Sequence, residues 1–227
     1  MGGMRRKTYE NPPILSLRLA GGAMRQSVSC RRDATASAIV APMDTVLERS
    51  WTPDSFLAWE DQQEFKYEFD GREVIQMTGG SLAHQRIVLN LCLSLMGLLD
   101  GRPFQVAQEM RLRAGSRIRY PDVLVFAGPL GQTTRTLTDA LAIFEVLSDD
   151  TATTDRVEKL LDYAALPSLH CYVLLEPTIA AATVHAREPG GAWTASVHKT
   201  GDLNLAGLDL ALPLAALYQG LSFPAQT

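Results

Sequence analysis

The sequence predicts an α/β fold, on three observations. Short runs alternate apolar with charged residues. A stretch of about 18 residues has the periodicity of a helix packed on a sheet. A nearly all-apolar strand with one glutamate inside it leads through an acidic turn into a second helix.

The elements follow in order. Residues 1–42 are rich in Gly, Arg, Ser and Ala and carry no stable periodicity, which predicts a disordered or weakly attached extension. Met43 opens more regular sequence, so a single domain is expected over 43–227. Thr52 is placed to cap a short helix, with Pro53 at its first position and Asp54 behind it. From Glu64, Phe65, Tyr67 and Phe69 alternate with Lys66, Glu68 and Asp70; Asp70-Gly71 then supplies a tight turn before Val74 to Met77, which spells a hairpin. With the aromatics toward the core, Glu68 faces a cleft or solvent.

Ser81 caps a predicted helix running to about Leu99, with Ile87, Val88, Leu91, Cys92, Leu95, Leu98 and Leu99 covering more than half its circumference. Phe104 to Arg113 alternates as a strand, Gly115-Ser116 turns the chain, and a short apolar strand, entered beside Asp122, runs to Phe126. Residues 128–138 read as a loop. Leu141 to Ser148 has the texture of a central strand, and Asp149-Asp150-Thr151 leads into a helix over about 153–166 with Val157, Leu160, Leu161 and Ala164 on its packed side. A strand over 169–175, a hairpin over 183–199 and a short helix over 210–218 complete the prediction.

Composition limits the function classes. The three cysteines are far apart and none forms a CxxC pair, so neither a disulfide framework nor a structural zinc site is suggested. No apolar run approaches the roughly 20 residues needed to cross a bilayer, and the chain is expected to be cytoplasmic. The formal charge of −4 divides into +5 over residues 1–40 and −9 over the rest. That balance weighs against a protein that holds DNA through its overall field, while leaving room for a nuclease with an acidic metal site and one basic groove.

Glu145 is the residue that most needs explanation, because a carboxylate on a buried strand costs several kcal/mol unless paired or bound to a metal. Asp122 at a strand entry and Glu68 on the outward hairpin face are acids able to converge on it, and strand, loop and helix bring Lys159 back alongside the sheet. Three converging carboxylates repel one another unless a cation holds them, the composition of an oxygen-ligand Mg²⁺ or Mn²⁺ site. Taken singly, each residue has a plainer account. Glu145 can pair with a structural Arg or Lys, Asp122 can accept backbone N–H bonds, Lys159 can be a solvated helix lysine, and His84 can bond the first turn of its helix.

In order and spacing, Glu68-Phe69-Asp70-Gly71, His84, Pro121-Asp122-Val123, Glu145-Val146-Leu147-Ser148, Lys159 with Tyr163, Leu166-Pro167-Ser168-Leu169 and Tyr172-Val173-Leu174 resemble the Uma2 family of restriction-endonuclease-like proteins, over roughly residues 50–200. The resemblance implies a restriction-endonuclease-like core of the PD-(D/E)xK superfamily, a mixed central sheet flanked by helices. It makes Asp122 the motif aspartate, Glu145 the motif acid and Glu68 the upstream carboxylate. Leu147 stands where the superfamily's usual lysine would be, and the resemblance gives that role to Lys159. His84 matches the family's helix histidine.

Arg111, Arg113, Arg117 and Arg119 are the candidate phosphate contacts, their plainer account being a charged strand edge. The function expected is metal-dependent endonucleolytic hydrolysis of DNA by a homodimer, since two cuts on a duplex need two sites. The competing expectations are a catalytically silent nucleic-acid or protein interaction module and a hydrolase of smaller phosphoesters.

Overall fold

The computed structural model describes residues 51–147 and 153–223, all inside the compact unit Glu48–Thr227. The predicted N-terminal extension and the 42/43 boundary lie outside the described residues.

The first elements form as the sequence dictates. Helix α1 (Pro53–Glu60) starts at Thr52, whose hydroxyl accepts from the Ser55 N–H while Ser55 returns the bond, a reciprocal cap. Strands β1 (Tyr67–Phe69) and β2 (Val74–Gln76) form the hairpin, and the Asp70 carboxylate accepts from the N–H groups of Arg72 and Glu73 at 2.7 Å. Gly71 at the turn has φ +93°, where a side chain is strained. Phe69 points inward and stacks on Phe56 of α1 at 5.5 Å, as the alternation requires, whereas Phe65, ahead of β1, is exposed. Helix α2 (Leu82–Leu98) is capped by Ser81 and buries Ile87, Val88, Leu91 and Leu95.

The next segment departs from the prediction. The single strand expected over 104–113 is two strands, β3 (Phe104–Gln108) and β4 (Arg111–Ala114), in different sheets. The return run is likewise divided into β5 (Arg117–Arg119) and β6 (Val123–Ala127). Together they make one long hairpin that bends midway, where the Glu109 N–H donates to the Asp122 carbonyl at 3.2 Å and Glu109 has φ +45°. Alternation continues across this bend, so a periodicity reading runs through it.

A short strand, β7 (Thr136–Leu137), lies within the expected loop and pairs in parallel with β4. It completes a five-stranded sheet of order β2-β1-β5-β4-β7. The central sheet adds β8 (Ala142–Val146), β9 (Cys171–Leu175), β10 (Ala182–Arg187) and β11 (Trp193–His198) in the order β11-β10-β9-β8-β6-β3. It is mixed: β8 and β9 are parallel, and its other pairs are antiparallel. Helix α3 (Thr153–Ala164) supplies the crossover between β8 and β9. Strands β12 (Asp202–Leu205) and β13 (Leu210–Pro213) precede α4 (Leu214–Leu217), so half of the expected last helix is a strand.

Apolar residues of α2, β12, β13 and α4 pack on one face of the central sheet; Tyr163 and Leu166 pack on the other with Ile143 and Tyr172. The architecture is the expected mixed sheet flanked by helices. The inward face of α3 is only partly the predicted one: Leu160 packs on the core as expected and Ala164 is partly buried. Val157 and Leu161 are exposed, whereas Asp162 and Tyr163 are buried and Lys159 is partly buried. Apolar periodicity finds only part of this face because it also carries polar groups that find partners inside.

Candidate functional site

Sheet register brings the first two acids together. In the antiparallel β6–β8 ladder Val123 pairs with Phe144, so one further step sets Asp122 opposite Glu145. The Val146 N–H donates to Asp122 Oδ2 at 2.7 Å, fixing that carboxylate against the β8 backbone. Strand alternation turns Glu145 away from the face where Phe144 and Val146 join the α2 core and toward α3. There the Tyr163 hydroxyl donates to Glu145 Oε1 at 2.9 Å, and Lys159 Nζ lies 3.5 Å from the same oxygen.

Glu68 enters from β1. Its Oε1 accepts from the Tyr120 N–H at 3.0 Å, its Oε2 accepts from Arg119 at 3.1 Å, and Lys159 Nζ is 3.9 Å from Oε2. His84 sits three residues after the Ser81 cap, and its Nε2 lies 3.1 Å from Asp122 Oδ2. Glu68, His84, Asp122, Glu145 and Lys159 all line one cleft of about 240 Å³. Tyr120, Tyr172 and the 75–80 segment supply further wall. A β-carbon at position 80 would stand 2.6 Å from His84 Nδ1, so the imidazole's place requires glycine there.

The electrostatics follow from this crowding. Burial pushes the Glu145 carboxyl up to about 7; Lys159 opposes the shift, and Asp122 and Glu68 add to it. The hydrogen bond to Asp122 raises His84 above its ordinary value, burial opposing. Tyr163 is raised well above the usual phenol range, first by burial and then by Glu145, so its hydroxyl keeps its proton and acts as a donor.

The four arginines are placed differently from the predicted rim. Arg119 is 1% exposed and held between Glu68 and Asp162, so it does not face a phosphate backbone. Burial would lower its pKa, but Glu68 and Asp162 outweigh that and keep it charged. Arg111 is also largely buried, against Glu60, Asp61 and the Tyr120 hydroxyl. Arg113 pairs with Asp54 and Arg117 with Asp162, each at 2.7 Å, and these side chains are 36% and 39% exposed. Their acidic partners lie on α1, just beyond its end, on β1 and on α3, distant in sequence, which is why local reading missed the pairings. Asp162 was missed as well; its one signal is its place three residues after Lys159 on the same helix face.

Among the described residues, no group of three or more His, Cys, Asp or Glu side chains stands as a ready metal-binding cluster. Asp122, Glu145 and Glu68 line the same cleft, and each is held by protein donors. No helix among the described residues is long and apolar enough to cross a membrane.

The profile of the Uma2 family, described as "Putative restriction endonuclease", matches residues 53–217. The chain belongs to the Uma2 family. Among its relatives, uncharacterized protein slr1290 of Synechocystis sp. (strain ATCC 27184 / PCC 6803 / Kazusa) is 28% identical over 177 residues, 76% of this chain and 93% of that one. Uncharacterized protein sll1609 of the same organism is 31% identical over 131 residues, 55% of this chain and 74% of the other. In three dimensions this Uma2 protein is similar to a crystal structure described as "a putative nuclease belonging to DUF820 from Anabaena variabilis ATCC 29413", with a TM-score of 0.62 and 19% identity over 74% of this chain and 97% of that one. At that identity the likeness speaks to fold.

Proposed function

We propose that this Uma2 protein is a Mg²⁺- or Mn²⁺-dependent endonuclease that hydrolyses phosphodiester bonds in DNA, acting as a homodimer because two cuts on a duplex need two sites. The observation that carries this reading is convergence. Glu68, Asp122, Glu145 and Lys159, from four separate parts of the chain, line one cleft, with the Lys159 ammonium 3.5 Å from Glu145 and 3.9 Å from Glu68.

The donor set suits a hard divalent cation. Its acidic ligands are carboxylate oxygens, and Glu145 is raised first by burial, with Asp122 and Glu68 adding to the shift against Lys159, an environment in which a bound cation would favour the charged form. Mg²⁺ is commonly held through one or two carboxylates with water completing its sphere, so a full protein cage is not required. Asp122 and Glu145, with Glu68 beside them, are the residues that would hold it, and the ion when bound supplies Lewis-acid activation of water and charge compensation at phosphate.

The chain's own groups orient the reaction. Lys159 presents an ammonium beside Glu145, where it stabilises negative charge accumulating on the phosphoryl oxygens. His84 and the Val146 N–H hold Asp122 Oδ2, and Tyr163 holds Glu145 Oε1, which fixes the orientation of both acids. Of the four arginines, Arg113 and Arg117 have enough exposed surface to serve as phosphate contacts.

A second reading, a nuclease fold that binds nucleic acid or protein without cutting, is favoured by the way Asp122, Glu145 and Glu68 are each already held by protein donors. Supercoiled plasmid incubated with the full chain and Mg²⁺ or Mn²⁺ separates the two. Nicking or linearisation that is lost in Glu145→Ala is the expected result. An unchanged plasmid under both ions, with plasmid still retarded on a gel, selects the second reading.

A further inference from the structure

A line of alternating charges runs from the partly exposed face of β5 to the deepest acid of the cleft. Arg117 meets Asp162 at 2.7 Å, Asp162 meets Arg119 at 2.8 Å, and Arg119 meets Glu68 at 3.1 Å. Lys159 follows, 3.9 Å from Glu68 and 3.5 Å from Glu145. Arg119 and Asp162 are the most enclosed members, with side chains 1% and 2% exposed. Two ions buried so completely are costly unless their geometry is good, and here it is specific. Arg119 directs Nε and one terminal nitrogen onto Asp162 Oδ2 and the other terminal nitrogen onto Glu68 Oε2. A guanidinium spans both acids at once, which a lysine ammonium cannot do with the same directions.

The helix that carries Lys159 gives this pair its importance. Lys159, Asp162 and Tyr163 share the inward face of α3, while Val157 and Leu161 are left exposed. Leu160 and the Tyr163 ring pack on the sheet, and the polar contacts of Lys159 and Asp162 act with them to set the rotation of α3. Position 147, two after Glu145, is leucine, so the cleft's lysine comes from this helix and its aim depends on how the helix is seated.

We infer that Arg119 and Asp162 form a positioning pair for Lys159. Asp162 fixes the guanidinium, the guanidinium satisfies Glu68 Oε2, and the lysine ammonium is thereby shared between Glu68 and Glu145 instead of being drawn wholly to Glu68. Neither residue touches the reacting atoms. The consequence for cleavage rests on the nuclease reading above; the placement of Lys159 does not.

The test separates the two. The chain has four lysines, Lys7, Lys66, Lys159 and Lys199, so the full-length protein grown with ε-¹³C lysine gives few signals, and the Lys159 signal is identified by its loss in Lys159→Met. In metal-free protein at one pH, Arg119→Lys and Asp162→Asn are expected to move the Lys159 signal beyond its linewidth and to leave Lys66 and Lys199 in place. Arg117→Met, which removes only the outer partner of Asp162, is expected to leave Lys159 unmoved. In plasmid cleavage the first two variants should lower kcat at least about tenfold with little change in KM, the pattern of a lost transition-state interaction. A Lys159 signal at its wild-type position in folded Asp162→Asn overturns the inference, as does an equal movement in Arg117→Met. If Asp162→Asn does not fold by circular dichroism, Asp162→Glu and Arg119→Lys decide by the same signal. A wild type that neither binds Mn²⁺ nor cuts removes the proposed function, and the lysine readout still decides the pair.

Discussion

Asp122 and Glu145 stand opposite each other one step beyond the paired residues of the β6–β8 ladder, and the Val146 N–H closes onto Asp122 Oδ2 at 2.7 Å. Their proximity is therefore a property of strand register, not of mobile side chains. Slipping either strand by one residue would turn one acid to the opposite face of the sheet.

On the proposed function, Asp122 is one of the residues that would hold the cation, and its place in the ladder makes it a clean position to test. Asp122→Asn keeps the size of the side chain and removes one charge from the cleft. It should weaken Mn²⁺ binding at least about tenfold in a calorimetric titration, in line with the loss of a metal-supporting group. Retention of wild-type affinity would place the ion elsewhere.

Glu145 predicts a pH dependence of stability. Its carboxyl is pushed up from 4.5 to about 7, first by burial. Between those values the folded chain holds a proton that the unfolded chain has released. The group's contribution is thus fully present below pH 4.5 and is lost as pH rises through 7. Glu145→Gln, which cannot ionise, should therefore be more stable than wild type at pH 8 by about 1–3 kcal/mol in metal-free urea unfolding, with the gap closing toward pH 5. Added Mn²⁺ should stabilise the wild type and leave Glu145→Gln nearly unchanged, because only a folded state that binds the ion gains from it. A stability difference that is flat between pH 5 and 8 would contradict the raised carboxyl.

Much of this site was legible in the sequence, for reasons that differ by residue. Glu145 stood out because a charge inside an apolar strand demands a partner, and Glu68 because aromatic alternation assigned it to the opposite face from Phe69. The caps at Thr52 and Ser81 are local chemistry and were equally readable. What failed was non-local. Alternation passes unbroken through the bend at Glu109 and Asp122, where the chain changes sheets, so two strands looked like one. Apolar periodicity found Leu160 on the inward face of α3 but not Lys159 and Asp162, because their partners lie on β1, β5 and β8. The arginines looked like an open rim because Asp54, Glu60, Asp61 and Asp162 approach them from 40 to 60 residues away.

Gly80 offers a direct test of the His84 contact. A methyl group there would meet the imidazole at 2.6 Å from Nδ1, whereas one at Gly79 meets nothing within 4 Å. Gly80→Ala should therefore behave like His84→Ala, with Mn²⁺ affinity or cleavage reduced about 10- to 100-fold, the usual cost of losing a group that orients a ligand. Gly79→Ala should match the wild type. Equal losses in both glycine variants would point to backbone effects in the 75–80 segment and away from His84.

Arg113 separates a phosphate contact from a strand-edge charge. Its guanidinium is held by Asp54 at 2.7 Å, yet both side chains have access to solvent, so the pair is worth little in stability. Arg113→Ala should shift urea unfolding by less than about 1 kcal/mol. If the residue also neutralises a DNA phosphate, the same change should weaken binding similarly across unrelated duplex sequences and flatten the plot of log K against log salt by about one unit of slope. Asp54→Asn should act in the opposite direction, because releasing the guanidinium from its carboxylate leaves more positive charge for the backbone. Binding assays over a salt series with both variants test this, and an unchanged slope in Arg113→Ala would leave the residue as part of the α1 contact alone.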